Sequence, residues 1–139
     1  MKIVLDTDVI VAAMRSPTGA SAELVRMARR GNIVLAASVS LMMEYEAVCT
    51  RAEHVAASGL SLDQVAVFLN ALASFVQPVA VHFLWRPQLR DPADELVLEA
   101  AVNGRAEALI SFNVRHFKTA VARFNLHLSP PGEFLRSFR

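Results

Sequence analysis

The sequence has few of the residues that define several common protein classes. A single cysteine, Cys49, cannot form a disulfide within the chain. No uninterrupted apolar run approaches the roughly 20 residues that a membrane-spanning helix needs. Asp6 and Asp8 lie where the apolar region of a signal peptide would be. We therefore expect a cytoplasmic protein that does not associate with a membrane.

The charge of the chain is nearly balanced, with 14 basic residues, 13 acidic residues and a formal net charge of +1. A polybasic nucleic-acid binder is therefore not expected. A hydrophobic content of 54% argues against disorder, and this apolar surplus suits an oligomer interface. The sequence has no glycine-rich phosphate loop and no nucleophile-elbow serine. Its four histidines are scattered and lack the spacing of a zinc site.

Predicted strands and helices alternate along the chain. The strands span residues 2–5, 33–36, 79–82, 108–111 and 126–128, and the helices span residues 20–30, 40–51, 62–75 and 92 to about 103. Ser61 and Asp91 are the caps expected for the last two helices. This alternation predicts a single α/β domain over residues 1–139, with a parallel sheet covered on both faces. Such sheets bind ligands beyond the carboxyl ends of their strands.

Two carboxylates follow the first predicted strand directly. A partly buried carboxylate needs a positive partner, and no Lys or Arg occurs within six residues after Asp8. A metal cation is therefore a natural partner for Asp6 and Asp8. The alternative, in which both acids cap the following turn, is equally good for Asp8. The position of Asp6 immediately after an apolar strand favours a functional role.

Three further segments carry candidate side chains. Asp94 lies three residues after the capping Asp91, on the same face at the positive end of a helix dipole. Glu44 and Glu46 flank the apolar stripe of the second helix at similar angles, so periodicity does not choose between them. Asn113 follows the fourth strand and can ligate a metal, hold a water or close a turn. Oxygen ligands without clustered histidine or cysteine favour Mg²⁺ or Mn²⁺.

Four motifs occur in order along the chain: Asp6-Thr7-Asp8-Val9, Ser40-x-x-x-Glu44-Tyr45-x-x-Val48, Arg90-Asp91-Pro92-x-Asp94 and Ser111-Phe112-Asn113-x-x-His116-Phe117. This order resembles the PIN domain family, above all its subgroup of toxins from toxin–antitoxin pairs, and the resemblance covers essentially the whole chain. It implies a three-layer α/β/α sandwich around a mainly parallel sheet of four to five strands. It also implies a metal-dependent endoribonuclease toxin that hydrolyses RNA phosphodiester bonds with Mg²⁺ or Mn²⁺, pairs with an antitoxin protein and forms a homodimer or larger assembly.

The resemblance assigns the site residue by residue. Asp6, Glu44 and Asp94 match the three common acids, and it is this match that selects Glu44. Asn113 falls where many members have a fourth acid, although asparagine also occurs there, and Asp8 stands where asparagine is usual. We expect Asp6 and Asp94 to ligate the ion, Glu44 and Asn113 to hold waters, and Asp8 to orient the cluster.

The motifs also have basic neighbours. Arg15, Arg90 and Arg115 lie beside them and are candidates for contacts with RNA phosphates. Binding through such contacts weakens as salt is added.

Three alternatives remain open at this stage. A PIN-like module that binds RNA or a partner without cutting is compatible with Asn113. A haloacid-dehalogenase-like phosphatase shares the opening Asp6-Thr7-Asp8-Val9, but it needs a catalytic lysine followed by an acidic pair. Here Asp91 and Asp94 precede Lys118 instead. A phospho-acceptor receiver domain needs a third aspartate at the end of the third strand, and the residues after position 82 offer none.

Overall fold

The computed structural model describes residues 1–82 and 88–138, and this part of the chain is built around a parallel sheet. Its strands are β1 (Lys2–Leu5), β2 (Val34–Ala37), β3 (Gln77–Pro78), β4 (Ala108–Ile110) and β5 (His127–Ser129). Its helices are α1 (Thr7–Arg15), α2 (Ala20–Arg29), α3 (Val39–Cys49), α4 (Ala52–Ser58), α5 (Leu62–Phe75), α6 (Pro92–Asn103), α7 (Val114–Arg123) and α8 (Pro131–Phe138). The predicted three-layer α/β/α architecture is confirmed.

The order of the strands brings the ends of β1 and β4 together. The order is β3-β2-β1-β4-β5, and every neighbouring pair is parallel. In the register of β1 with β4, Leu5 lies beside Ile110. The next residues, Asp6 and Ser111, therefore leave the sheet side by side. The first and fourth strands therefore deliver polar groups to one edge of the sheet.

Capping side chains explain why α5 and α6 have the predicted bounds. Ser61 Oγ accepts a hydrogen bond from the Gln64 N–H at 3.1 Å, and Gln64 Oε1 accepts one from the Ser61 N–H at 2.9 Å. This capping box satisfies two backbone donors that the helix itself leaves unpaired. Asp91 Oδ1 accepts from the Ala93 N–H at 2.9 Å, with Pro92 at the first helical position. Both helix starts are therefore decided by local sequence.

The prediction of a strand over residues 79–82 is wrong. The structure places β3 two residues earlier and ends it at Pro78. Because proline has no N–H to donate, a strand that contains it is confined to a sheet edge and its pairing is short. The Val79 N–H still donates to the Ala37 carbonyl at 3.0 Å. Strands β2, β4 and β5 lie within one residue of their predicted bounds.

The sequence pattern does not predict α1, α4, α7 or α8. In α1 the residues Val9, Ile10, Val11, Ala13 and Met14 are all buried, because α1 packs against α2, α3 and α4. A helix that is buried on several sides lacks the single apolar stripe by which helices are identified in a sequence.

Within residues 1–82 and 88–138, no single helix is long and apolar enough to cross a membrane. The pair α4 and α5 meets the requirement of length and composition only when taken together, and it is bent by 91°.

Candidate active site

Asp6 is buried at the carboxyl end of β1 and is held by two hydrogen bonds. Ser111 Oγ donates to Asp6 Oδ2 at 2.6 Å, and the Thr7 backbone N–H donates to Asp6 Oδ1 at 2.8 Å. The second bond makes Asp6 the cap of α1. A carboxylate oxygen can accept more than one bond, so both oxygens keep capacity for a cation. Ser111, which sequence reasoning assigned only to a motif, is the residue that fixes Asp6.

Asp8 lies in the first turn of α1 and is tied to the segment that follows β4. Its Oδ2 accepts hydrogen bonds from Asn113 Nδ2 at 3.0 Å and from the Phe112 N–H at 3.2 Å. Its Oδ1 is buried and has no hydrogen-bond partner among the described residues. Asp8 and Asn113 are the two positions at which the sequence departs from the common PIN pattern. The structure makes them direct partners.

Asp94 reaches the same edge of the sheet from the first turn of α6. The residue is 9% exposed, and His116 Nδ1 lies 3.2 Å from Asp94 Oδ2. The histidine comes from α7, so no local pattern in the sequence reveals this contact. Asp91 caps α6, as the simpler interpretation predicted.

The structure distinguishes Glu44 from Glu46. Glu44 is half-buried and faces the cleft that Asp6 lines, whereas Glu46 is exposed and faces a different groove. Between them, the buried Tyr45 hydroxyl donates to the Leu5 carbonyl at 2.5 Å. This bond ties α3 to the last residue of β1 and so places Glu44 near the end of that strand.

The acidic cleft, as we call it, has a volume of about 800 Å³ and lies at the carboxyl edge of the sheet. All five residues that were predicted to ligate or orient a metal line it. They are Asp6, Asp8, Glu44, Asp94 and Asn113.

Basic residues line this cleft and a groove that adjoins it. Of the three arginines predicted to contact RNA, Arg15 lines the acidic cleft itself. Arg90 and Arg115 line a neighbouring groove of about 420 Å³, which shares Asp94 with the cleft. Arg51 also lines the acidic cleft, and sequence reasoning missed it because it lies outside the four motifs.

Three carboxyl groups in the cleft have raised pKa values. Burial raises the pKa of Asp6 and outweighs the hydrogen bonds from Ser111 and Thr7, which lower it. Burial, followed by the negative charge of Asp6, raises the pKa of Asp8 from 3.8 to about 7. The same two causes raise the pKa of Asp94, and proximity to His116 partly offsets them. These carboxylates therefore resist carrying their charges together in the absence of a cation.

The chemistry of the donor set fits a divalent cation. The available donors are carboxylate and amide oxygens, which suit Mg²⁺ or Mn²⁺, and one buried carboxylate oxygen of Asp8 has no partner among the described residues. Within residues 1–82 and 88–138, however, no three His, Cys, Asp or Glu side chains are grouped closely enough to hold an ion as they stand. A divalent cation at this edge would therefore be held by one or two carboxylates, with waters completing its coordination.

Comparison with known proteins gives the family. The sequence profile of the PIN domain matches residues 2–115. The chain belongs to the PIN domain family. PIN domains are generally nucleases that typically use divalent metals, so this membership supports a hydrolase.

A solved structure has the same PIN fold. The crystal structure of VapBC2 from Rickettsia felis bound to a DNA fragment from its promoter matches with a TM-score of 0.63. The sequence identity is 17%, and the match covers 92% of this chain and 97% of that chain. No curated protein sequence matches significantly.

Proposed function

We propose that this PIN protein is a ribonuclease that depends on Mg²⁺ or Mn²⁺ and that cleaves RNA internally at the acidic cleft. The observation that carries the proposal is the gathering of acids from α1, α3 and α6 into one cleft beside the ends of β1 and β4. A phosphodiester is an anion, which a metal-free group of carboxylates repels. Burial is the largest cause of the raised pKa values of Asp6, Asp8 and Asp94, and the negative charge of Asp6 adds to it for Asp8 and Asp94.

Each residue has a distinct part in this proposal. A divalent cation, when bound, would neutralise the substrate phosphate and lower the pKa of an attacking water. Asp6 and Asp94 would hold the cation, because they are the buried acids that line the cleft at the end of β1 and at the start of α6. Glu44 and Asn113 would hold water at the cleft wall, and Asp8 would orient the Asn113 amide through the bond to its Oδ2.

The biological role that we propose is that of the toxin in a toxin–antitoxin pair, acting in the cytoplasm. The similarity of fold to VapBC2 of Rickettsia felis, a complex bound to promoter DNA, supports this role. The partner would be an antitoxin protein that blocks the acidic cleft until it is removed. Growth of cells tests the idea, with this chain expressed alone and together with the neighbouring open reading frame. The idea would fail if expression of this chain alone left growth unchanged.

We also propose that the chain forms a homodimer or larger assembly. Val39 and Met43 are 74% and 65% exposed on α3 and border a groove between α3 and α5. Exposed apolar side chains of this size favour association. Light scattering after gel filtration should give more than one chain mass for the wild type and one chain mass for Met43→Lys.

The decisive experiment for the nuclease is a cleavage assay on single-stranded RNA with Mn²⁺, Mg²⁺ or EDTA. We expect cleavage with either metal, none in EDTA, and a loss of at least about 100-fold in kcat for Asp6→Asn and Asp94→Asn. Glu44→Gln should also lower kcat, whereas Glu46→Gln is its matched control from the same helix. Unchanged cleavage by both aspartate variants would refute the assignment.

A catalytically inert PIN-like module is the second candidate. Two observations favour it: the Asn113 amide donates to Asp8, and the described residues hold no closely grouped set of three acidic or histidine ligands. Titration calorimetry with Mn²⁺ separates the candidates. An absence of binding at millimolar Mn²⁺ would support the inert module, whereas binding that Asp6→Asn weakens would support the nuclease.

A further inference from the structure

Four arginines line the acidic cleft or the groove that adjoins it at Asp94. On one side, Arg15 at the end of α1 and Arg51 before α4 line the cleft. On the other side, Arg90 and Arg115 line the neighbouring groove, which is continuous with the cleft through Asp94. Asp94, which lines both, therefore lies between two basic surfaces, which we call the α1/α4 side and the α6/α7 side.

Within residues 1–82 and 88–138, the guanidinium groups of these four arginines form no hydrogen bond and no ion pair. By contrast, Arg26 and Arg30 both pair with Glu23, at 2.9 and 3.0 Å. Arginines that lie beside carboxylates but do not pair with them keep their planar forks free. The guanidinium fork matches the geometry of a phosphate.

The distance along α1 shows which phosphate Arg15 can reach. Thr7 and Arg15 are eight residues apart in one helix, so their Cα atoms are separated by about 12 Å along the axis. The carboxylates lie at the Thr7 end. A substrate whose scissile phosphate sits over Asp6 therefore meets Arg15 with a phosphate farther along the strand.

The α6/α7 side is close to the acids in sequence as well as in space. Arg90 immediately precedes Asp91, the cap of α6, and Arg115 lies two residues after Asn113. Both side chains can therefore contact a strand that passes Asp94 into the neighbouring groove.

From this arrangement we propose that a single strand of RNA crosses the acidic cleft with phosphates held on both sides of the scissile bond, by Arg15 and Arg51 on the α1/α4 side and by Arg90 and Arg115 on the α6/α7 side. The inference rests on the proposed ribonuclease function and deepens it. It adds Arg51 as a contact and gives the strand a path. A strand held on both sides needs no free end.

The first test measures how salt weakens binding. The probe is a fluorescein-labelled oligouridine of about 12 nucleotides, which is a usual site size for single-strand binding, with Ca²⁺ in place of Mn²⁺. Each arginine that contacts a phosphate should contribute about 0.7 to the slope of log Kd against log salt. Arg51→Ala and Arg90→Ala should each lower that slope by this amount and weaken binding about tenfold at low salt.

The matched control is Arg136→Ala, which removes the same charge from α8, outside both grooves. Arg51 forms no capping side-chain bond in α4, so its replacement leaves the helix start intact. Circular dichroism checks that each variant folds. The proposal is overturned if Arg51→Ala leaves the slope unchanged, or if Arg136→Ala lowers it equally.

The second test asks whether the two sides bind different phosphates. Single neutral methylphosphonate linkages are placed in turn along a probe of defined sequence. At one linkage, the neutral probe should bind the wild type and Arg51→Ala with equal affinity. A different linkage should make the affinities of the wild type and Arg90→Ala equal. The two-sided path would be refuted if one and the same linkage abolished the effect of both substitutions on affinity. A closed circle of the same RNA should bind as tightly as the linear strand, and tenfold weaker binding of the circle would also refute it.

These outcomes are independent of whether the protein cleaves RNA. If Mn²⁺ supports no cleavage but the slopes change as expected, the nuclease proposal fails and the strand path stands. If cleavage occurs while Arg51→Ala and Arg90→Ala keep wild-type slopes and wild-type KM, the path fails and the nuclease stands.

Discussion

Replacing Asp8 with asparagine should stabilise the metal-free protein above neutral pH. Burial of Asp8, followed by the negative charge of Asp6, raises the pKa of Asp8 to about 7. The asparagine oxygen can still accept the bonds that Asp8 Oδ2 receives from Asn113 and the Phe112 N–H. The NH₂ group of the asparagine would replace the buried Oδ1 of Asp8, which has no hydrogen-bond partner among the described residues. This NH₂ group could donate a hydrogen bond to Asp6.

The magnitude follows from proton linkage. An acid whose pKa is raised on folding binds its proton more tightly in the native state, so stability falls as pH rises from the unfolded to the folded pKa. For Asp8 this range extends from 3.8 to about 7, and about 3 units at 1.4 kcal/mol each give roughly 4 kcal/mol. Because Asp8 retains contact with water, we halve this figure for solvent screening and expect about 2 kcal/mol.

Urea unfolding in EDTA, followed by circular dichroism, measures the effect. The free energy of unfolding of Asp8→Asn should exceed that of the wild type by about 2 kcal/mol at pH 8 and by less than half of that at pH 5. In thermal melts, the gain at pH 8 corresponds to about 6 °C. Asp63→Asn removes an exposed carboxylate from the first turn of α5 and should show no such gain. A destabilised Asp8→Asn protein, or a gain equal at both pH values, would refute the reasoning.

Three further predictions concern the same edge of the sheet. Mn²⁺ at about 100 times its Kd should stabilise the wild type by roughly 3 kcal/mol in thermal shift, and an equal gain in Asp94→Asn would argue against this carboxylate as a ligand. Ser111→Ala removes the hydroxyl that donates to Asp6 and should cost about 2 kcal/mol in urea unfolding, whereas an unchanged midpoint would show that the bond is dispensable. Tyr45→Phe removes the donor to the buried Leu5 carbonyl and should cost about 1 kcal/mol. An equal free energy of unfolding for Tyr45→Phe and the wild type in urea would contradict this expected loss.

Local signals determined the elements that could be predicted well. The capping box of Ser61 and the Asp91-Pro92 pair identify α5 and α6 because a cap acts within one helical turn. The short β-branched run before Asp6 identifies β1. The same local signals fail where packing against neighbouring elements decides the structure. The helix α1 is apolar on several sides and has no single stripe, and Pro78 ends β3 before its predicted start.

Sequence patterns alone predict the alternation of strands and helices, the caps, and the acids after β1 and at the start of α6. Periodicity left Glu44 and Glu46 equivalent, and the fold puts Glu44, the residue that the family resemblance selected, in the acidic cleft. The hydrogen bond from Ser111 to Asp6, 105 positions away, is visible in the fold alone. The two kinds of feature differ in the distance along the chain over which their interactions act. Caps and periodicity act over a few residues, whereas the convergence of side chains depends on which strands become neighbours and in what register.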